Sequence, residues 1–134
     1  EEIERNVCRL VSKVERFRDD IVQYETEYTD DAEVIVLAYG SVARSARRAV
    51  RDARKRDVKA GFFRPITLWP FPDKEIEKLA RRVRTIIVPE MNCGQMVLEV
   101  ERATKGKAKI VQQSLVNGEL FKPKDILKVI EEVA

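Results

Sequence analysis

Histidine is absent from this 134-residue sequence. Its absence removes the Ser-His-Asp and Cys-His catalytic sets, the H-E-x-x-H metal motif and most general acid–base schemes near neutral pH. Cysteine is scarce. Cys8 and Cys93 stand far apart and form no C-x-x-C pair, which argues against a disulfide framework, a zinc site or an iron–sulfur cluster held by this chain. Both are expected as thiols of a reducing cytoplasm. No apolar run approaches the roughly twenty residues of a membrane span, and no charged-then-apolar leader is visible. The first residue is Glu1 rather than Met, as expected of a piece trimmed from something longer. G-x-G-x-x-G and G-x-x-x-x-G-K-[ST] are both missing. A net charge of +3 is too small to call for nucleic acid as a partner. With no linker or low-complexity stretch, the length predicts a single domain over residues 1–134. That domain is expected to have no catalytic residue, metal or cofactor site of its own.

What is abundant is charge, at 37% of residues with Arg and Glu prominent, a composition typical of thermophile ion-pair surfaces. Apolar residues recur at helical spacing in Ile3, Val7, Leu10, Val14, Phe17 and Ile21, predicting one amphipathic helix over residues 1–21 that packs on the domain or on a partner. From Val22 to Tyr28 the pattern alternates, with Tyr24, Thr26 and Tyr28 on one side and Gln23, Glu25 and Glu27 on the other, as in an edge strand. The run Val34 to Tyr39, closed by Gly40-Ser41, predicts a buried strand, and Val42 to about Lys55 a helix behind it. Strand and helix go on alternating: strand Val58 to Phe63, helix Asp73 to Arg82, strand Thr85 to Val88, helix Gln95 to Ala103, strand Lys109 to Gln112. Asn117-Gly118 then marks a turn, and Pro123 opens a last helix carrying Ile126, Leu127 and Ile130. Such alternation gives a mostly parallel sheet with helices on both faces and right-handed crossovers.

In sheets of this kind the working surface lies beyond the carboxyl ends of the strands. Three segments fall there. Gly40 and Ser41 could offer backbone N–H groups to an anion at the start of a helix, though turn geometry and capping explain them more simply. The loop from Arg64 to Phe71 joins three prolines (with Pro72) to Trp69 and Phe71, so it is either a stiff contact surface or a lid on the core. Pro89 to Met96 brings together Glu90, Asn92, Cys93, Gly94 and Gln95. Lacking a base or a resolving thiol, Cys93 reads as a structural thiol, whereas Glu90 and Asn92 read as hydrogen-bonding groups across an interface. A basic stripe of Arg44, Arg47, Arg48, Arg51 and Lys55 reads first as a solvated helix face; the alternative is a stand-alone binding module that sets this face on an acidic partner or nucleic acid.

Ala38 to Ser41, Gly61 to Pro72 and Val88 to Gln95, in that order and spacing, resemble the C-terminal domain of the α subunit of the 2-oxoacid:ferredoxin oxidoreductases. The likeness covers residues 22–134 and looks closest to the 2-oxoglutarate type through Thr67 to Pro72. The resemblance implies the fold of the transketolase C-terminal domain: a three-layer α/β/α arrangement whose five-stranded sheet is mostly parallel, with an antiparallel first strand. It also implies a complete enzyme that converts a 2-oxoacid and coenzyme A to an acyl-CoA and carbon dioxide while reducing ferredoxin. Thiamine diphosphate, magnesium and the iron–sulfur cluster would be held by other domains or subunits, with this domain supplying subunit contacts. The candidate contact residues are Gly40, Ser41, Arg64, Trp69, Phe71, Glu90, Asn92, Gly94 and Gln95.

Overall fold

The computed structural model describes residues 1–134. Its centre is β2 (Val34–Leu37), flanked by β3 (Ala60–Pro65) and β4 (Thr85–Glu90), with β5 (Lys109–Ser114) and β1 (Tyr24–Glu27) at the edges of a five-stranded sheet. The order is β1-β3-β2-β4-β5, and β1 alone runs antiparallel. All four residues of β2 are buried because both faces of the sheet are covered, which is why its sequence is apolar without alternation. Val34, Val36, Phe62 and Ile87 face α3 (Val42–Arg54) and α6 (Pro123–Val133). Ile35, Leu37, Phe63, Ile86 and Val88 face α4 (Asp73–Ala80) and α5 (Met96–Thr104). Gly61 is required where β3 passes beneath its neighbours, because a Cβ there would lie 2.7 Å from Ile35 Cδ1 and 2.8 Å from the Tyr28 carbonyl oxygen. No helix is long and apolar enough to cross a membrane.

One expectation changes. The helix predicted over residues 1–21 is broken at Phe17 into α1 (Glu2–Arg16) and α2 (Arg18–Ile21), and α1 buries no residue against the sheet. Its stripe of Ile3, Val7, Leu10 and Val11 is exposed. In β1 the more covered side is that of Glu25 and Glu27, while Tyr24 and Thr26 stay exposed. The reason is tertiary: α3 lays its arginines over this strand. Arg47 reaches Glu25 at 2.5 Å, and Arg51 binds both carboxylate oxygens of Glu27 at 3.1 Å. Tyr24 still contributes by stacking on Phe63, with ring centroids 5.2 Å apart.

Candidate functional site

Beyond β4 the chain turns through residues 91–95 into α5, and Glu90 organises that turn. Its carboxylate is 1% exposed and accepts hydrogen bonds from the backbone N–H groups of Met96 (2.6 Å), Val97 (3.0 Å) and Gln95 (3.2 Å). These are the first amides of α5, which lack partners within their own helix, so a carboxylate meets both their hydrogen-bonding need and the positive end of the helix dipole. Asn92 Nδ2 adds a longer bond of 3.3 Å to Glu90, and Asn92 Oδ1 accepts from the Gly94 N–H at 2.8 Å. Gly94 takes φ +105°, and a Cβ there would sit 2.6 Å from Gln112 Nε2. Tyr39, at the end of the β2 segment, directs its hydroxyl at Glu90 from 3.4 Å. Burial, and then the charge of Glu90, push its phenol above the ordinary value of 10.0.

The proline-rich loop is anchored from beneath. Phe71 is 5% exposed within the core on the α4–α5 side, and Pro70 and Pro72 are buried with it. Arg18, 8% exposed, donates from Nη2 to the Phe71 carbonyl. Thr67 Oγ1 accepts from the Gln23 N–H at 2.9 Å and donates to the Ile21 carbonyl at 3.1 Å. With its base held, the loop projects Ile66, Leu68 and Trp69 into solvent, Trp69 being 69% exposed.

A third feature is a cleft of about 490 Å³ lined by the turn after β2, the first turns of α3, Arg64 of β3 and Met91 beyond β4. Gly40, Ser41 and Arg44 lie on one wall, and Arg64, Met91 and Phe121 are among the residues that complete it. Gly40 has φ +58°, a left-handed conformation that favours glycine at this turn. The basic stripe behind it is largely neutralised within the chain. Arg47 and Arg51 meet Glu25 and Glu27, Arg48 and Lys55 meet Asp52, and Arg54 binds Asp31 at 2.8 Å. Arg47 Nε lies 2.9 Å from Glu27 but out of line for a hydrogen bond, so that contact is coulombic. A stripe already paired in this way offers little to an acidic partner.

Of the residues expected at a contact surface, Trp69 and Gln95 are exposed, as are Gly40 and Ser41. Arg64, Asn92 and Gly94 are half-buried. Two positions are corrected: Phe71 belongs to the core, and Glu90 spends its hydrogen-bonding capacity inside the chain, so neither presents a surface to a partner. Cys93 is an exposed turn residue. Sequence reasoning did not single out Arg18, Tyr39 or Phe121. A tyrosine closing an apolar strand was a usable signal for Tyr39; nothing local marks the other two. The residues present do not fit a metal or an iron–sulfur cluster, since no three Cys, Asp or Glu side chains converge.

The profile of the pyruvate:ferredoxin oxidoreductase core domain II matches residues 32–126. The 2-oxoglutarate synthase subunit KorA of Methanothermobacter marburgensis is 41% identical over 127 residues, which is 95% of this chain and 34% of the relative. KorA of Methanocaldococcus jannaschii is 36% identical, covering 92% of this chain and 33% of the relative. The ketoisovalerate oxidoreductase subunit VorB of Methanothermobacter thermautotrophicus is 37% identical over all 134 residues and 38% of its own length. The chain thus spans about a third of the length of the curated relatives it matches. Among solved structures, the 2-oxoglutarate:ferredoxin oxidoreductase from Magnetococcus marinus, with 2-oxoglutarate, coenzyme A and succinyl-CoA bound, superposes with a TM-score of 0.77 at 24% identity, covering 87% of this chain and 21% of that one. A split-gene transketolase superposes at 0.66 with 16% identity, covering 77% and 38%. These two likenesses concern the fold.

Proposed function

Because the chain belongs to the pyruvate:ferredoxin oxidoreductase core domain II family, we propose that it is the subunit-contact domain of the α subunit of a 2-oxoglutarate:ferredoxin oxidoreductase. The complete cytoplasmic enzyme would oxidatively decarboxylate 2-oxoglutarate to an acyl-CoA and reduce ferredoxin. Thiamine diphosphate, magnesium and the iron–sulfur cluster would be carried by its other parts, and coenzyme A would act with the whole assembly. The domain's share of this work is mechanical. Its sheet, covered on both faces, supplies a rigid base from which the strand-end loops meet other parts of the enzyme.

The observation that carries the reading is the loop after β3. Ile66, Leu68 and Trp69 are 46%, 45% and 69% exposed, yet the backbone beneath them is fixed by three prolines, the buried Phe71 and the Arg18 bond. Exposed apolar side chains on an immobilised loop lose little entropy on docking, which is the condition for an efficient contact. Asn92, Gly94 and Gln95 in the turn after β4, and Gly40, Ser41 and Arg64 around the cleft, are the further contact candidates at the strand ends. The choice of 2-oxoglutarate rests on the Thr67 to Pro72 stretch and on the 41% identity to KorA.

The test is competition. The chain is mixed with the remaining subunits and the rest of the α chain, and association is followed by sedimentation. Binding that competes with the intact α subunit is expected, and failure to compete would overturn the reading. Trp69→Ala should weaken assembly at least tenfold while changing folding stability by no more than about 0.5 kcal/mol. An unchanged assembly constant would remove Trp69 from the interface. In the assembled enzyme, preference for a branched 2-oxoacid over 2-oxoglutarate would overturn the substrate assignment alone.

A further inference from the structure

We propose that the cleft between Gly40-Ser41, Arg44 and Arg64 is a binding site for the oxyanion of a small ligand, a phosphate or carboxylate group. The proposal starts from an imbalance of charge. Of the five arginines on α3, Arg47, Arg48, Arg51 and Arg54 each pair with a carboxylate of the same chain, whereas Arg44 takes part in no ion pair. Arg64 has only a 3.4 Å contact to Glu25, which Arg47 already holds at 2.5 Å. Three guanidiniums, Arg47, Arg51 and Arg64, therefore share the carboxylates of Glu25 and Glu27, and Arg44 has none. No acidic residue lines the cleft to offset the excess.

Topology puts that excess in a suitable place. From β2 the chain passes to β3 on one side and later to β4 on the other, so the loops after β2 and β4 part, leaving a crevice at the carboxyl end of the sheet. The cleft opens there, with room for a small molecule and an apolar wall of Val42, Met91 and Phe121 beside the arginines. Ser41 makes no side-chain capping bond to α3, and its hydroxyl has only a long contact of 3.9 Å to Met91 Sδ, weak enough for an oxyanion to displace. Guanidinium groups pair oxyanions bidentately, and Arg44 and Arg64 line one cleft with Ser41, which supplies the donor types that such a group needs.

The experiment titrates the chain with inorganic phosphate and, separately, with succinate, holding ionic strength constant with sodium chloride. Thermal unfolding and amide chemical shifts of residues 40–45 are both recorded. A saturable stabilisation, with shifts centred on those residues, is expected with at least one probe, and the tighter probe identifies the ligand as a phosphate or a carboxylate. Arg44→Ala, an exposed and unpaired position whose loss leaves the fold intact, should weaken the dissociation constant about tenfold. Arg64→Gln should weaken it too, and Arg9→Ala on α1 should leave it unchanged. A response to both probes no larger than to chloride would overturn the proposal. So would an unchanged affinity in Arg44→Ala, or an equal loss in Arg9→Ala. The measurement needs no other subunit, so its failure is separable from a failure of assembly.

Discussion

Glu90 is the residue on which the β4–α5 turn depends. Replacing it with Ala leaves the amides of Gln95, Met96 and Val97 without their acceptor in a buried place. The expected cost is on the order of 2–3 kcal/mol in urea unfolding, with Glu90→Gln recovering part of it because one carbonyl oxygen can still accept. Gly61→Ala is expected to cost about 2 kcal/mol by the same measurement, because one obstacle to its methyl group is the Tyr28 carbonyl at 2.8 Å, a backbone atom that cannot rotate away. Phe71→Ala should cost about 3 kcal/mol, since its ring fills the core. Trp69, two residues earlier, carries no such burden. The sequence places these two aromatics in one loop without distinguishing them; only the path of the backbone sends Phe71 inward and Trp69 out.

Among the elements, α1 stands apart because it has a clear apolar stripe and nothing in the chain to cover it. Deleting residues 1–16 should therefore change the unfolding free energy of the remainder by no more than about 0.5 kcal/mol, as measured by denaturant titration. A larger loss would mean that α1 supports the sheet. The remaining helices were legible because 3.6-residue periodicity is imposed by a buried face, and α3 shows it plainly in Ala43, Ala46, Ala49, Val50 and Ala53. Their ends were less so. The strands after β2 run to Pro65, Glu90 and Ser114, beyond the predicted ends, because pairing continues wherever a neighbouring strand is present: antiparallel with β1 for β3, parallel between β4 and β5. The role of α3's polar face was not legible either, because a basic stripe looks the same whether it faces water or the acidic side of β1.

At the scale of the whole molecule the ion pairs set the pH limits of stability. Hydrogen bonds from Lys107, then Arg81 and Lys105, hold the Glu77 carboxyl far below the usual carboxylate range. Its contribution is therefore present above the ordinary value of 4.5 and is lost as pH falls below it. Glu77→Gln should flatten the acid limb of a stability–pH curve measured by thermal unfolding. Tyr39 acts at the other end: an unfolded chain ionises it near 10.0 and the folded chain only above that, so stability declines as pH rises past this value. Tyr39→Phe should remove that alkaline dependence, and an unaltered alkaline limb would count against the half-buried setting of Tyr39 beside Glu90. The sequence by itself determined the alternation of strand and helix, the buried central strand and the lack of histidine chemistry, since periodicity and composition are local properties of the chain. Only the tertiary structure decided that Glu90 caps a helix from within, that the arginines of α3 are paired by β1, and that Arg44 is left free beside a cleft. Each depends on groups distant in sequence meeting across the sheet, and no local pattern encodes which charges will find one another.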